Sequence, residues 1–174
     1  MMPRLADLAN QVAVQVFKHV PWATDLWLKG HRLARPEGPI PWTRLRKSLA
    51  ACRVALVTTA GVHRTDEAPF DMADPEGDPS FRAFPMDTPP DALRITHKYY
   101  DHRAADRDLN VVLPRDPLRA LAAEAQVGAI GPTCYSLMGH ILGPHLRTLT
   151  QATAPEVARR LRAEAVDLVV LTPA

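Results

Sequence analysis

The sequence predicts a three-layer α/β fold, with a mostly parallel sheet between flanking helices and a helical arm at the N-terminus. Short apolar and β-branched runs recur along the chain, as expected for strands that are buried on both faces. Segments with helical spacing lie between these runs, and parallel neighbours require such crossover connections. The predicted strands occupy residues 54–59, 109–113, 127–131 and 166–171.

The arm precedes the first predicted strand. Apolar residues recur at spacings of three and four from Leu5 to Val20, which predicts an amphipathic helix that Pro21 ends. Three tryptophans follow among prolines and glycines, a composition typical of irregular structure. We therefore expect a helical and irregular arm over residues 1–52 and an α/β domain over residues 53–174, together forming one globular unit.

Helical patterns separate the later strands. Residues 117–125 carry leucines and alanines on one helical face. Thr153 and Glu156 have the spacing of a capping box, which predicts the start of a helix that reaches Glu164. The last apolar run, residues 166–171, follows this helix directly.

Composition excludes several classes of protein. A chain of 174 residues with 47% hydrophobic content can bury one sizeable core, and a net charge of +2 is too weak to predict a nucleic-acid partner. Basic residues concentrate in the arm, which either contacts an acidic partner surface or presents a solvated helix face. Two cysteines make no disulfide framework, and no signal peptide or membrane-spanning run occurs. We therefore expect a cytoplasmic protein with no membrane partner.

Candidate chemistry follows the strand ends, because ligands bind beyond the carboxyl ends of strands in open parallel sheets. His63 comes directly after the first strand and precedes a long loop rich in proline and acidic residues. Such loops are often functional, although a surface excursion without a ligand is the alternative. Arg82, at the end of this loop, is the candidate anchor for a substrate carboxylate.

The densest polar cluster lies between residues 96 and 106. It contains His97, Asp101, His102 and Asp106, together with two tyrosines. The imidazoles either hydrogen-bond a substrate carboxylate, or join His63 in a metal site, or simply lie at a capped helix start. We favour substrate binding and assign no metal.

Cys134 follows the predicted strand at 127–131, so Cys134, Tyr135 and Ser136 are candidates for the same cleft. A cationic neighbour or a helix N-terminus would lower the thiol pKa and make Cys134 a nucleophile. The alternative is an inert buried thiol, which is also the interpretation for Cys52. The absence of G-x-G-x-x-G and Walker A motifs leaves nucleotide binding unsupported.

A series of motifs also runs in order along the α/β domain. It comprises residues 57–63 (VTTAGVH), 69–71 (PFD), 77–82 (GDPSFR), 100–102 (YDH), 106–112 (DRDLNVV), 135–139 (YSLMG) and 171–173 (LTP). This ordered set resembles the selenoprotein B family of glycine, sarcosine, betaine and D-proline reductases.

The resemblance implies a component of a multisubunit enzyme that reductively cleaves a carbon–nitrogen bond in an amino acid or related amine. It also implies that a selenolate or thiolate attacks the α-carbon, while a pyruvoyl group on a partner subunit holds the amine. The chain itself would contribute the substrate pocket, within a reductase complex or a homo-oligomer. The alternative is a non-catalytic ligand- or metal-binding partner protein derived from the family. The site residues on the first interpretation are the nucleophile Cys134 and the substrate-binding residues His63, Arg82, His97, Asp101, His102, Asp106, Tyr135 and Ser136.

The sequence departs from the family pattern after Pro173. In the family, a segment with Cys-x-x-Cys or its selenocysteine variant follows, whereas this sequence stops at Ala174. Either the chain is truncated, or redox chemistry has been lost, or a UGA codon for selenocysteine ended the coding sequence. We therefore assign no cofactor to this chain and expect the selenocysteine or redox cysteines in a missing C-terminal segment.

Overall fold

A computed structural model of the protein describes Val20, Trp22, Gly38 and residues 43–174. The helix predicted for the start of the arm lies outside these residues. The strands in the described part are β1 (Arg53–Thr58), β2 (Val62–Arg64), β3 (Phe81–Pro85), β4 (Leu93–Ile95), β5 (Ala129–Ile130), β6 (Thr133–Leu137) and β7 (Leu168–Thr172). The α-helices there are α1 (Arg103–Arg107), α2 (Arg115–Ala123), α3 (His145–Thr148) and α4 (Ala154–Ala163).

The chain divides into two compact units, Met1–Arg44 and Leu45–Ala174. All of the strands and helices named above belong to the second unit. A short 3-10 helix, Leu49–Ala51, leads into β1 and belongs to the same unit. Residues 45–52, which the sequence assigns to the arm, therefore group with the α/β unit.

β1 lies at the centre of a five-stranded sheet. It pairs in parallel with β5, β6 and β7, and β3 pairs antiparallel with β6. β2 and β4 form a separate antiparallel pair. The mostly parallel mixed sheet with flanking helices confirms the predicted α/β class.

Alternate residues of β1 pack into two different cores. Val54 and Leu56 belong to a cluster that includes helix α2, whereas Ala55 and Val57 belong to a cluster that includes helix α4. Successive side chains of a strand point to opposite faces, so the sheet has a helix layer on each side. The continuous apolar run that predicts β1 is the sequence pattern of this double burial.

The predicted strands at residues 54–59, 127–131 and 166–171 are confirmed as β1, β5 and β7. The strand predicted at residues 109–113 is wrong, because this run begins with a 3-10 helix. The Asp108 carboxylate accepts a hydrogen bond from the amide of Asn110 at 3.0 Å, which favours this tight turn over an extended strand.

The two predicted helices are confirmed as α2 and α4, but the predicted capping box is wrong. The Thr153 side chain makes no cap hydrogen bond. Its hydroxyl donates instead to the carbonyl of Pro79 at 2.7 Å. A π-helical turn, Leu149–Thr153, precedes α4, so the helix has no free first turn for Thr153 to cap. Among the described residues, none of the helices combines the length and apolar character needed to cross a bilayer.

Candidate functional site

Three parallel strands end at the same edge of the sheet. Thr58 of β1 pairs with Ser136 of β6 on one side and with Thr172 of β7 on the other. Just beyond these strands, Ala60 and Met138 form an isolated bridge. We call the residues that directly follow β1, β6 and β7 the carboxyl edge. It is the place where a parallel sheet positions ligand-binding groups.

A close backbone approach brings residues 96–102 to the carboxyl edge. Gly61 has a φ of +70°, and a side chain there would place its Cβ 2.5 Å from the Thr96 carbonyl oxygen. The Thr96 amide donates to the Gly61 carbonyl at 2.9 Å. The Tyr100 hydroxyl donates to the carbonyl of Ala60 at 3.2 Å. Glycine is required at position 61 because it fits both the positive φ and the contact.

His63 is buried in β2, and both of its ring nitrogens have partners within the protein. Nδ1 donates to the carbonyl of Arg64 at 2.7 Å, and Nε2 lies 2.8 Å from the Thr96 hydroxyl. The ring also meets Phe70 edge to face, with 6.4 Å between centroids. Through these contacts His63 links β2 to residue 96. Both of its ring nitrogens are occupied, so neither is left for a ligand.

Arg82 is likewise held by the protein. Its guanidinium donates to the carbonyls of Ala68 and Pro69, each at 3.0 Å, and to the hydroxyl of Ser80 at 2.7 Å. The guanidinium also lies 4.4 Å from the centroid of the Phe70 ring. Arg82 therefore organises the acidic loop, and these bonds would have to break before it could bind a substrate carboxylate.

His97 has a buried ring nitrogen without a partner. The side chain is 7% exposed, and its Nδ1 accepts the amide hydrogen of Tyr99 at 3.1 Å. Nε2 must then carry the proton of the neutral ring, yet it finds no hydrogen-bond partner among the described residues. Burial, with smaller contributions from His140 and His102, lowers the pKa of His97 to about 4. The ring is a neutral donor near pH 7.

His102 is partly exposed and lies beside Tyr100, a neighbour that it shares with His97. Its Nδ1 is 2.8 Å from the carboxylate of Asp106, and its ring centroid is 5.6 Å from that of Tyr100. Tyr100 in turn meets His97 edge to face at 4.7 Å. Asp101 points elsewhere and forms a two-point pair with Arg103. The structure therefore brings together His97, His102 and Asp106, whereas Asp101 points towards Arg103 at the start of α1.

The sequence analysis missed His140, which follows β6. Its ring stacks on Tyr99 with 3.7 Å between centroids, and its Nε2 donates to the Pro75 carbonyl at 2.9 Å. The sequence of β6 does not predict a strand at residues 133–137, and without that strand nothing in the sequence marks His140 as a residue at a strand end. A strand predicted at residues 133–137 would have identified His140.

Cys134 lies inside β6, in an environment that opposes a thiolate. It is fully buried, its Sγ is 3.2 Å from the Met86 sulfur, and burial raises the thiol pKa to about 12. The positive charges of Arg115 and Arg119 lower this pKa only in part. The proposed nucleophile would need a large local opening to react. Cys52 is also fully buried, and its thiol donates to the carbonyl of Ser48 at 3.2 Å.

Tyr135 and Ser136 are neighbours of Cys134 on β6 and are also buried. Tyr135 belongs to the core beneath α4, and its hydroxyl donates to Glu164 at 2.8 Å. The Ser136 hydroxyl has no hydrogen-bond partner. Cys134 belongs to the opposite core, so these adjacent side chains do not share one cleft.

Two cavities lie on different parts of the molecule. One of about 350 Å³ is lined by Arg94, Asp106 and Arg107 with apolar residues of β4 and its neighbours. The other, of about 640 Å³, lies at the start of β6 and includes Arg119 in its lining. Of these two cavities, the smaller one is lined by a residue of the polar cluster, namely Asp106.

Within residues 43–174, the metal alternative does not assemble from His63, His97 and His102. The one group of potential metal ligands found there consists of Asp74, Glu76 and His145, whose ligand atoms lie within 4.8 Å of one another. All three residues were outside the predicted site. The sequence signal that marks two of them is the acidic loop after β2.

The model of the family glycine/sarcosine/betaine reductase selenoprotein B matches residues 6–174. The chain belongs to this family. Three of its selenoprotein B motifs, in residues 57–63, 135–139 and 171–173, lead into the carboxyl edge, where the segments after β1, β6 and β7 meet. The amide of Ala174 donates to the Thr59 hydroxyl at 3.1 Å, and Gly139 approaches both residues.

Curated relatives of this selenoprotein B chain are named as reductase subunits. The chain is 39% identical over 134 residues to the D-proline reductase subunit gamma of Acetoanaerobium sticklandii, covering 77% of this chain and 53% of that protein. It is 30% identical over 129 residues to a glycine reductase complex component B subunit gamma of Carboxydothermus hydrogenoformans, covering 72% and 29%. The chain thus spans about half or less of these relatives. No solved structure gives a significant match.

Proposed function

We propose that this chain is the substrate-binding part of a thiol- or selenol-dependent reductase that cleaves a carbon–nitrogen bond in an amino acid or related amine. Family membership supports the reductase role, because the relatives are named as subunits of D-proline and glycine reductases. The proposal places the substrate beside the polar cluster of His97, His102 and Asp106.

The observation that carries this placement is the unpartnered Nε2 hydrogen of His97. A buried donor without a partner costs about 1–3 kcal/mol, so proteins rarely keep one without a reason. A substrate oxygen, such as a carboxylate oxygen, would satisfy it. The neutral ring adds no positive charge, so it orients an acidic substrate without forming an ion pair.

The neighbouring cavity suits the other end of an amino acid. Its volume of about 350 Å³ lies within the range of small-molecule sites. The carboxylate of Asp106, which lines this cavity, would bind the ammonium group of the substrate. Through its bond to Asp106, His102 fixes the orientation of that carboxylate. His63 and Arg82 brace the loops around this site, and neither need contact the substrate.

The reduction needs a reactive thiol or selenol that these 174 residues do not offer, since both cysteines are buried. A thiolate from elsewhere would attack the α-carbon, and the nitrogen would gain a proton and leave as an amine, which stays tethered to the product where the substrate is a ring. A second thiol would then attack the bound sulfur and form a disulfide, while the carbon takes up a proton. Two thiols are thus oxidised for each bond cleaved. We propose that a further segment or partner subunit supplies them, and that a pyruvoyl group on a partner holds the amine where the reaction requires it.

Calorimetric titration with D-proline, glycine, sarcosine and betaine tests the binding role. We expect saturable binding of at least one compound, weakened at least tenfold by Asp106→Asn and by His97→Phe. Glu156→Gln is the matched control, because Glu156 pairs with two exposed arginines of its own helix, α4. The placement would be wrong if neither site variant weakened binding, or if the control weakened binding by the same factor.

Turnover with dithiothreitol tests the source of the thiol. We expect no amine release by this chain alone, and release only after a subunit with an accessible thiol or selenol is added. Amine release by the chain alone that disappears in Cys134→Ala would contradict this expectation and make Cys134 the nucleophile.

A second candidate function is a non-catalytic ligand- or metal-binding partner of such a reductase. Its support is the burial of both thiols together with the group of Asp74, Glu76 and His145. Stoichiometric bound metal with no amine release in the complete complex would favour this function over the first.

A further inference from the structure

Two loops that meet near the carboxyl edge carry a group of three potential metal ligands. Asp74 and Glu76 lie in the acidic loop between β2 and β3, and His145 begins α3 after β6. Their nearest ligand atoms, one imidazole nitrogen and two carboxylate oxygens, lie within 4.8 Å of one another. No residue of the proposed substrate site belongs to this group.

The backbone holds the two loops in a fixed register. Gly77 and Ile141 form an isolated bridge, and the amide of Leu142 donates to the carbonyl of Glu76 at 2.8 Å. Gly77 has a φ of +87°, and a side chain there would collide with the carbonyl of His140. The ligand atoms are therefore brought together by paired backbone, and this preorganisation lowers the entropic cost of binding.

The side chains of Asp74, Glu76 and His145 fill only part of one another's hydrogen-bonding capacity. Nε2 of His145 lies 2.9 Å from one carboxylate oxygen of Asp74, and the other oxygen accepts the amide hydrogen of Glu76 at 2.8 Å. The Glu76 carboxylate accepts no hydrogen bond from the described residues, although it is half-buried and lies over Gly143.

The donor set favours a particular class of ion. Mg²⁺ and Ca²⁺ prefer oxygen ligands alone, whereas an imidazole together with carboxylates suits first-row divalent ions such as Zn²⁺ and Mn²⁺. Such an ion would take the place of the Nε2 proton of His145 and would neutralise both carboxylates. Three protein ligands leave at least one position for water or another ligand.

We propose that Asp74, Glu76 and His145 bind one first-row divalent metal ion, which links the acidic loop to the segment after β6. The site does not depend on the proposed reductase function. It adds a cross-link between the two loops that flank His140 and Tyr99, and thereby stabilises the border of the carboxyl edge.

Titration of the full, chelator-treated chain with Co²⁺ and Zn²⁺ tests this site. We expect one equivalent per chain by calorimetry, a visible Co²⁺ spectrum typical of mixed nitrogen and oxygen ligands, and a higher melting temperature. Asp74→Asn, Glu76→Gln and His145→Gln should each weaken binding at least tenfold. Circular dichroism of the metal-free variants checks that they remain folded, and Glu76→Gln removes no side-chain hydrogen bond that the described residues make.

The chain offers a matched control in His102 and Asp106, which form a similar imidazole–carboxylate pair at 2.8 Å and belong to no group of three potential ligands in the described part of the chain. His102→Gln should leave the metal affinity unchanged. Absence of saturable binding would overturn the proposal, as would folded ligand variants that bind like the unaltered chain, or loss of binding in His102→Gln. Loss of binding in His102→Gln would place the metal at the His102–Asp106 pair instead. The other outcomes do not bear on amino-acid binding at Asp106.

Discussion

His97 combines burial with an incomplete set of hydrogen bonds, and this combination makes its protonation state a determinant of stability. Its pKa falls from 6.5 to about 4 in the folded protein, chiefly because of burial. Between these values the unfolded chain binds more protons than the folded chain. The stabilising contribution is therefore present above pH 6.5 and is lost as the pH falls towards 4.

We predict that His97→Phe flattens the pH dependence of the free energy of unfolding between about pH 4 and 6.5. The unaltered protein should lose up to about 3 kcal/mol from this residue over that range. Urea unfolding at several pH values measures the difference. An equal slope for the variant and the unaltered protein would show that His97 is not buried as a neutral ring.

Cys134 is the residue whose proposed role agrees least with its surroundings. Only the thiolate reacts with alkylating agents, and burial raises the Cys134 pKa to about 12. We predict slow labelling of Cys134 and Cys52 by iodoacetamide in the folded protein and rapid labelling of both in urea. Mass spectrometry of the labelled peptides measures each rate. Rapid labelling of folded Cys134 at about pH 8, with protection by a substrate, would restore it as the nucleophile.

At the scale of elements, the acidic loop and the segment after β6 are joined through Gly77. We predict that Gly77→Ala lowers the free energy of unfolding by roughly 2–4 kcal/mol, because an added Cβ meets backbone that cannot move freely. Gly143→Ala is the matched control, since it has a positive φ but its Cβ meets the flexible end of Glu76. The control should cost only about 1–2 kcal/mol. If chemical denaturation gave equal losses of unfolding free energy for the two variants, the close backbone contact between Gly77 and His140 would be contradicted.

Strands with a continuous apolar run were predictable, whereas a strand with a mixed pattern was not. Residues 54–57 of β1 are all apolar, so local sequence suffices. β6 reads Thr-Cys-Tyr-Ser-Leu, a mixed pattern whose burial becomes evident only when β1 and β3 lie on either side. This omission placed Cys134 after a strand instead of within one, and it concealed His140 and His145. His97, His102 and Asp106 were found because their density is visible locally, although the missing partner of His97 requires coordinates.

In the α/β unit as a whole, the two helix layers support the sheet, and the loops beyond the carboxyl edge carry the proposed site. Both cores pack on the same central strand, so the sheet is a rigid base for the loops beyond its carboxyl ends. The cavity of about 640 Å³ lies at the start of β6, away from those loops. The account therefore predicts that an amine or amino-acid ligand avoids the larger cavity and binds beside Asp106.

Backbone amide NMR of the full chain during titration with D-proline, glycine, sarcosine and betaine is the most direct test of this claim. The account predicts saturable shift changes in residues 96–107 and 137–140 for at least one compound. Changes confined to residues 83–87 and 130–133, around the larger cavity, would contradict it, as would the absence of changes with every compound.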